Sequence, residues 1–507
     1  MQELKMRRKE SWIGLSAAAV LLASMPAAGD VFDVNTFEDG NDGACNVRGC
    51  TLREAINACT GTPGNDTILL DAGVYTLSVP GNDNGGLGGD LDVNFGQVEI
   101  VGFGKGVTII DADGINRVFD VGPLNAPTSL ILRDLTIRGG VAQGLEFAGG
   151  VRVFPGSTLV LDNVEVLDCH AGDDGGGLWI GGEAYVADSL VSGCSVTFGS
   201  GNGGGIWVSH SGTTPGVLTL ERSVVSGNSA PNGGGGLSVR GDAFIIDSTI
   251  GPNGGTFPTG ILYPVTWAGN VVAERSTFTG LTGVVLLNSA LNTLSMTNCT
   301  VSGNGGGVPA IHVGFGGGTA SLDHCTVTAN ASGGIGRFGG TVTLHGTIVA
   351  GNGGGDINGA VVSEGWNLIG STAGASISGD TTGNLLNMAP LLGPLADNGG
   401  YTMTHAAQTG SPAIDAADLA SSPNLDQRGF LRPLDGDGNG SVMPDIGAVE
   451  VSLAPVKPGD LDGNGVVDGA DVGAMLGQWG GAGSGDLDGN GIVDGADLGL
   501  LLANWGG

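Results

Sequence analysis

Two phrases near the end of the chain place oxygen-bearing side chains at the spacing of a calcium loop. They are Gly459-Asp-Leu-Asp-Gly-Asn-Gly-Val-Val-Asp-Gly-Ala-Asp471 and Gly485-Asp-Leu-Asp-Gly-Asn-Gly-Ile-Val-Asp-Gly-Ala-Asp497. Counted from the first Asp, positions 1, 3, 5, 9 and 12 are Asp460, Asp462, Asn464, Asp468 and Asp471, then Asp486, Asp488, Asn490, Asp494 and Asp497. Hard carboxylate and amide oxygens at this spacing suit Ca2+. Gly465 and Gly491 stand at position 6, where the loop turns sharply. Val466 and Ile492 stand at position 7, where a main-chain carbonyl is the ligand. The alternative is a pair of acidic Gly-Asn turns, but each copy leads into apolar residues at helical spacing. Those sets are Val472, Met475, Leu476, Trp479 and Leu498, Leu501, Leu502, Trp505. Two loop-helix units 26 residues apart are each too small for a core. The expectation is that they pack helix on helix and need the metal to fold.

This arrangement, over residues 459–507, resembles the type I dockerin module. The resemblance implies an EF-hand-like calcium domain with two Ca2+ ions, docking to a cohesin-type or cell-envelope partner. Where many dockerins carry Ser-Thr before the last ligand, this chain has Gly469-Ala470 and Gly495-Ala496, and basic residues after the loop are missing. A third acidic run, Asp435, Asp437 and Asn439, begins like the same loop but has Met443 at position 9 and Ile446 at position 12. It reads as a partial calcium site or an acidic surface turn.

The elements that must carry these loops follow from composition. Of 507 residues 101 are Gly, and aromatics make up only 5%, the profile of a tightly turned repeat. With 50 acidic against 18 basic residues the net charge is -32, which disfavours nucleic acid and anionic lipid as partners. Residues 1–29 read as a secretory signal: Lys5, Arg7, Arg8 and Lys9, an apolar stretch from Trp12 to Met25, then Ala27, Ala28 and Gly29. No other segment has the apolar length to span a bilayer, so the expectation is an exported protein, extracellular or at the cell surface, and not an integral membrane one.

From residue 129 to 364 one phrase recurs: Leu132-Arg-Asp-Leu-Thr-Ile, Leu161-Asp-Asn-Val-Glu-Val, Val186-Ala-Asp-Ser-Leu-Val, and on to Leu344-His-Gly-Thr-Ile-Val. Aligning Leu135, Val164, Ser189, Ser223, Ser248, Ser276, Cys299, Cys325 and Gly346 gives spacings of 29, 25, 34, 25, 28, 23, 26 and 21. Short β-branched strands at such a period mean stacked coils. The fold class expected is all-β, a right-handed single-stranded parallel β-helix of the pectin-lyase-like kind, over residues 30–450. Asn228, Asn304, Asn330 and Asn352, with Cys169 and Cys194 in the same place, predict an internal ladder.

Thr51 and Glu54 form a capping-box pattern, and Leu52, Ala55, Ile56 and Cys59 share a helical face that is expected to cap the first coil within residues 30–128. Cys45 and Cys50 are the expected disulfide; Cys169, Cys194, Cys299 and Cys325 read as small buried ladder residues. The stretch Cys50-Thr-Leu-Arg-Glu-Ala-Ile resembles the CSLREA motif of bacterial secreted proteins. Gly365-Trp-Asn-Leu-Ile-Gly, Leu395-Ala-Asp-Asn-Gly-Gly, Gly410-Ser-Pro-Ala-Ile-Asp, Asp426-Gln-Arg-Gly and Asp445-Ile-Gly-Ala-Val-Glu together look like a choice-of-anchor Q region over 365–450. That resemblance implies a body joined, through a linker at 451–458, to a C-terminal anchoring module.

In the body the only adjacent Asp pair of the repeats, Asp173-Asp174, sits in a Gly-rich turn near His170, as a candidate acid-base set or a solvated turn. Arg152, Arg222, Arg240, Arg275 and Arg337 are candidate bases of a lyase, though Arg222 and Arg275 occupy matching coil positions, which favours a surface ladder. His170, His210, His312, His324 and His345 show no metal spacing and read as structural or surface residues. Trp179 and Trp207, at one place after successive Gly runs, suit an aromatic strip for sugars or inward core packing. Two functions follow: a calcium-dependent attached protein whose body binds glycans or mediates adhesion, or a polysaccharide lyase or glycoside hydrolase.

Overall fold

The computed structural model describes residues 28–506, apart from 44, 48, 60–63, 82–83, 124–126, 212–213, 256–260, 263–268, 288, 453–457 and 463–465. The expected signal segment, to residue 27, and most of the expected linker lie outside the described residues. The chain divides into a body, Asp30–Leu453, and a C-terminal unit from Ala454 to Gly507.

The body is a parallel β-helix. Its repeated phrase builds one rung per copy, and each rung hydrogen-bonds the next without a slip in register. Leu132 pairs with Leu161, Leu161 with Val186, Val186 with Leu220 and Leu220 with Ile245. The same ladder runs on through Ala273, Met296, Leu322 and Leu344. All of these side chains are buried, and the Leu, Val, Ile and Met residues among them each contribute about 1.5–3 kcal/mol by leaving water. Parallel strands about 4.8 Å apart put like above like, so a single apolar choice repeated every coil makes a continuous core.

A left-handed residue bends every rung. Asp134, Asn163, Asp188, Arg222, Asp247, Arg275, Asn298, His324 and Gly346 hold φ between 45° and 56° at the third place of the phrase. Asp and Asn tolerate this conformation best among side-chain-bearing residues. The bend shifts the inside-outside phase: in Thr158–Leu167, Leu159 and Leu161 face in, then Val164 and Val166. It also takes the next amide out of the sheet pattern, and a hydroxyl from the following rung accepts it. Ser189 N donates to Ser223 Oγ (3.1 Å), Ser223 N to Ser248 Oγ (3.0 Å) and Ser248 N to Ser276 Oγ (3.1 Å). Cys325 N donates to Thr347 Oγ1 (3.2 Å), so Thr347, not Gly346, is the ladder equivalent of Cys325. The sequence alignment was one residue off in that rung, because Gly346 occupies the bend itself.

The asparagine ladder is present and longer than the sequence reading had it. Cys194 N donates to Asn228 Oδ1 (2.9 Å) and Asn228 N to Asn253 Oδ1 (3.0 Å). Asn304 N donates to Asn330 Oδ1 and Asn330 N to Asn352 Oδ1, both at 3.2 Å. Asn253, behind Pro252, completes a series that Leu281 interrupts. Cys169, Cys194, Cys299 and Cys325 are buried free thiols on the two ladders, and burial pushes the Cys194 and Cys325 thiols well up.

The helix Leu52–Cys59 packs against the opening strands Asn65–Leu69 and Leu91–Val93. Its start is a reciprocal box: Glu54 N donates to Thr51 Oγ1 (3.1 Å) and Thr51 N to Glu54 Oε2 (2.9 Å). A disulfide joins Cys45 to Cys50. Beyond the last coils the chain turns back and lies along the outside of the stack. Thr277 Oγ1 donates to Met403 O (2.6 Å), Thr300 Oγ1 to Gln427 Oε1 (2.6 Å), and Thr326 Oγ1 accepts from Ala448 N (3.0 Å). Ile348, Leu368, Ala413, Ala417 and Ile446 form the apolar seam beneath this segment.

Among the described residues no helix is long and apolar enough to cross a membrane. Replacing a ladder residue should cost more than its size suggests. Asn330→Ala strands Asn304 N and takes away the side-chain amide that Val301 O accepts, and is expected to lower stability by about 2–4 kcal/mol. The check is the denaturant midpoint against an exposed control, Thr341→Ala; equal midpoints would contradict the ladder's role.

Candidate functional site

In the C-terminal unit the helices Gly469–Leu476 and Gly495–Ala503 each begin at an Asp of the expected ligand set. Asp468 and Asp494 are N-caps, their side chains accepting from Ala470 N and Ala496 N (2.7 Å each). The position-12 carboxylates reach back across both loops. Asp471 Oδ1 accepts from Leu461 N (2.6 Å) and Asp462 N (3.1 Å), and its Oδ2 from Asp468 N (2.8 Å). Asp497 Oδ1 accepts from Leu487 N (2.7 Å) and Asp488 N (3.0 Å), and its Oδ2 from Asp494 N (2.7 Å). Asp486 Oδ2 takes Gly491 N (2.7 Å), Asp488 Oδ1 takes Asn490 N (3.0 Å) and Asn490 Oδ1 takes Ile492 N (2.9 Å). Asn464 and Gly465 lie outside the described residues, while Val466 and Ile492 are exposed.

The result is two carboxylate cups. Ligand oxygens of Asp460, Asp462 and Asp471 lie within 4.8 Å of one another, as do those of Asp486, Asp488 and Asp497. An all-oxygen, highly anionic set of this kind fits Ca2+. Burial pushes Asp486 up, with Asp497 and Asp488 adding to it. Asp497 is held low: its burial works upward, but the amides of Asp494, Asp488 and Leu487 outweigh it.

The two halves answer each other. Gly480 N donates to Val493 O (2.9 Å) and, 26 residues on, Gly506 N to Val467 O (3.0 Å). Leu461, Val467, Met475, Val493 and Leu501 make the core, with Val472 and Leu498 partly buried. The rest of the expected helix faces did not turn inward. Leu476, Trp479, Leu502 and Trp505 are 53%, 48%, 51% and 51% exposed, in symmetric pairs. A core of five side chains has no room for them, and they form an apolar surface instead.

The third acidic run folds like the second loop. Asp435 Oδ2 accepts from Gly440 N (2.9 Å), Asp437 Oδ1 from Asn439 N (2.9 Å) and Asn439 Oδ1 from Ser441 N (2.7 Å). Gly438 and Gly440 have φ of 76° and 86°, beside 73° and 87° at Gly489 and Gly491. Position 12 is supplied from a different segment: Asp415 accepts from Gly436 N (3.1 Å) and Asp437 N (3.0 Å), the amides that a position-12 Asp takes in the other loops. Asp415, Asp435 and Asp437 bring ligand oxygens within 4.8 Å of one another. Ile446 is buried in the apolar seam.

On the body, Asp173 and Asp174 sit on the outer side of the coils. Asp174 accepts from Asn202 N (2.8 Å) and Asn202 Nδ2 (3.2 Å), and burial pushes it up to about 6. Arg240, lowered by burial against the pull of Asp174 and Asp173, lies over the Trp207 ring at 4.6 Å. Trp179 and Trp207 pair in register between inward Leu178 and Ile180, Ile206 and Val208, so both face out. Inward packing is thus corrected; Trp207 is nonetheless only 2% exposed, and Trp179 stacks on Phe147 (5.5 Å). His170 bonds to Ser195 Oγ through Nδ1 (2.8 Å) and makes no hydrogen bond or ion pair with either Asp among the described residues. Arg222 and Arg275 form ion pairs with Asp188 and Asp247 one rung away, as a surface ladder does. Arg152 belongs to a buried network with Asp120, and Arg337 holds Gly340 O.

Residues 124–335 match the family described as right handed beta helix region. No curated protein matches the chain. Among solved structures, the pectate lyase Pel9A aligns at 15% identity over 84% of this chain and 97% of its own, with a TM-score of 0.45. The A-modules of the Azotobacter vinelandii mannuronan C-5 epimerases AlgE4 and AlgE6 align at 14% and 16% identity. They cover 67% and 71% of this chain and 92% and 96% of theirs, with TM-scores of 0.42 and 0.39.

Sequence reasoning missed Asp415, 20 residues before the loop it completes, and Asn202, whose donors hold Asp174. No local spacing marks either. Because the folded pKa of Asp174 lies above the ordinary carboxylate value of about 4, it takes up a proton on folding, and stability declines as pH rises from about 4 to about 6. Asp174→Asn is expected to flatten that decline, read as the Tm of variant minus parent across this window. A difference that does not change with pH would contradict the assignment.

Proposed function

We infer that this is an exported, calcium-loaded β-helix protein. Its C-terminal unit docks on a partner of the cohesin or cell-envelope type, while the long body presents a surface for glycans or adhesion. The observation that carries this reading is the pair of reciprocal carboxylate cups that share a core with symmetric, exposed Leu476-Trp479 and Leu502-Trp505 pairs. Closing each cup gathers carboxylates that repel one another unless a dication sits among them, so Ca2+ binding and the docking surface are one folding event. Exposed aromatic and leucine side chains of this kind are the anchors of protein interfaces. The signal-like start of the sequence supports export, and the likeness to dockerin names the partner class.

The loop at 435–441 is read as a third Ca2+ site, completed by Asp415. A second function, cleavage of an acidic or neutral polysaccharide, rests on one observation: Asp174, raised to about 6, lies in the field of Arg240 beside the outward Trp179 and Trp207. A carboxyl poised near neutrality and an arginine are an acid and a charge stabiliser.

Calorimetric titration of the mature chain with Ca2+ is expected to give three sites. Asp460→Ala and Asp486→Ala should each remove one site and lower the helix signal of the C-terminal unit; Asp415→Ala should remove one and leave that signal unchanged. Absence of Ca2+ binding in the parent would overturn the reading. Assay of new reducing ends and unsaturated products on pectic, uronic and neutral polysaccharides tests the second function. Product lost in Asp174→Asn supports it, and no product from the parent removes it.

A further inference from the structure

Asp323, His324 and His345 close on one another across two adjacent rungs. Asp323 pairs with His345 in the strand register, and His324 follows Asp323 at the left-handed bend. A single oxygen, Asp323 Oδ1, lies 2.7 Å from His324 Nδ1 and 2.8 Å from His345 Nδ1. The two rings are 5.2 Å apart at 67°. Gly346 occupies the next rung's bend, where a Cβ would come within 2.5 Å of the His324 ring, so the coil is cut away to admit the imidazole.

The far nitrogens fix the protons. Ser422 Oγ donates its only hydrogen to Asp418 O (2.6 Å), and Ser421 Oγ donates its own to Asp418 Oδ2 (2.5 Å). A carbonyl and a carboxylate offer no hydrogen in return. Toward His324 Nε2 (2.8 Å) and His345 Nε2 (3.1 Å) the two hydroxyls therefore accept, and both rings carry hydrogen on Nε2. A neutral imidazole in that tautomer turns a bare Nδ1 lone pair on Asp323 Oδ1. Lone pairs at 2.7 and 2.8 Å repel unless positive charge lies between them. Two extra protons are one filling, but they place a full charge on His324, whose side chain is 0% exposed.

We propose that Asp323, His324 and His345 bind one divalent transition-metal ion of the zinc class. The ion takes both Nδ1 lone pairs and the carboxylate, and the Nε2 hydrogens held by Ser421 and Ser422 are the outer-shell anchors that ligating histidines make. Metal bonds of about 2.0–2.1 Å set tetrahedral ligands about 3.3 Å apart, so loading spreads the three groups by about half an ångström. Asp323 (35% exposed) and His345 (12% exposed) leave the solvent side for a fourth ligand, the pattern of an open site. Imidazole nitrogens separate this site from the all-oxygen loops, which favour Ca2+. Since Asp418, Ser421 and Ser422 belong to the segment laid back over the coils, the ion also pins that segment to the stack.

The test is titration of the full mature chain, saturated with Ca2+, with Zn2+ alone and with Co2+ alone. One tightly held Zn2+ per chain is expected, with a Co2+ visible spectrum of mixed nitrogen and oxygen ligation. His345→Gln and Asp323→Asn should each weaken Zn2+ at least tenfold, and Ser422→Ala should weaken it less, with circular dichroism like the parent's. Zinc bound equally well by His345→Gln, or no zinc retained by the folded parent, would overturn the proposal. In the latter case a 15N imidazolium signal from His324 at neutral pH would identify protons as the filling.

Discussion

Everything in the body depends on the vertical register of its parallel ladders. Each rung hydrogen-bonds the next at the same residue, so a choice made in one coil is answered directly above and below it. The left-handed bend then makes that choice specific. It frees the amide that follows it, which a Ser or Thr hydroxyl of the following rung accepts, and a second turn frees another, which an Asn of the following rung accepts; short side chains do this without opening a void. Apolar side chains beside these ladders supply most of the driving force, while the ladders decide which register survives.

The same constraint explains what was legible in the sequence. The Leu132 to Leu344 phrases and the asparagines were visible because a parallel ladder repeats residue type at the coil period. Gly346 stands at the bend and Thr347 in the ladder, a one-residue distinction that the irregular coil lengths conceal in the sequence. The two acidic loops were legible because their carboxylates and amides are local, within thirteen residues. Asp415 and the grouping of Asp323, His324 and His345 were not, because coil stacking and the returning segment bring them together from separate coils or segments. For Trp179 and Trp207 the sequence leaves outward and inward placement both open: alternation fixes which residues share a face, and the neighbouring Leu, Ile and Val residues took the inner one.

The C-terminal unit obeys a different economy. It has about fifty residues, a core of five fully committed apolar side chains, and two clusters of carboxylates that repel unless neutralised. Such a unit cannot hold itself together by burial alone. Its helices start at Asp468 and Asp494 of the two acidic loops, its core lies between the loops, and Leu476, Trp479, Leu502 and Trp505 are about half exposed. On the proposed reading metal, core and docking surface are coupled, and part of the charge of -32 over the whole chain is the counterpart of the dications that reading assigns to it.

The most direct measurement is hydrogen exchange of the full mature chain, followed by mass spectrometry with and without Ca2+. The account predicts protection gained on Ca2+ addition in the loops and helices of residues 459–506 and at 435–441, with the ladders of the body unchanged. Equal exchange of the C-terminal unit in both conditions would contradict its central claim, that this unit is folded by calcium.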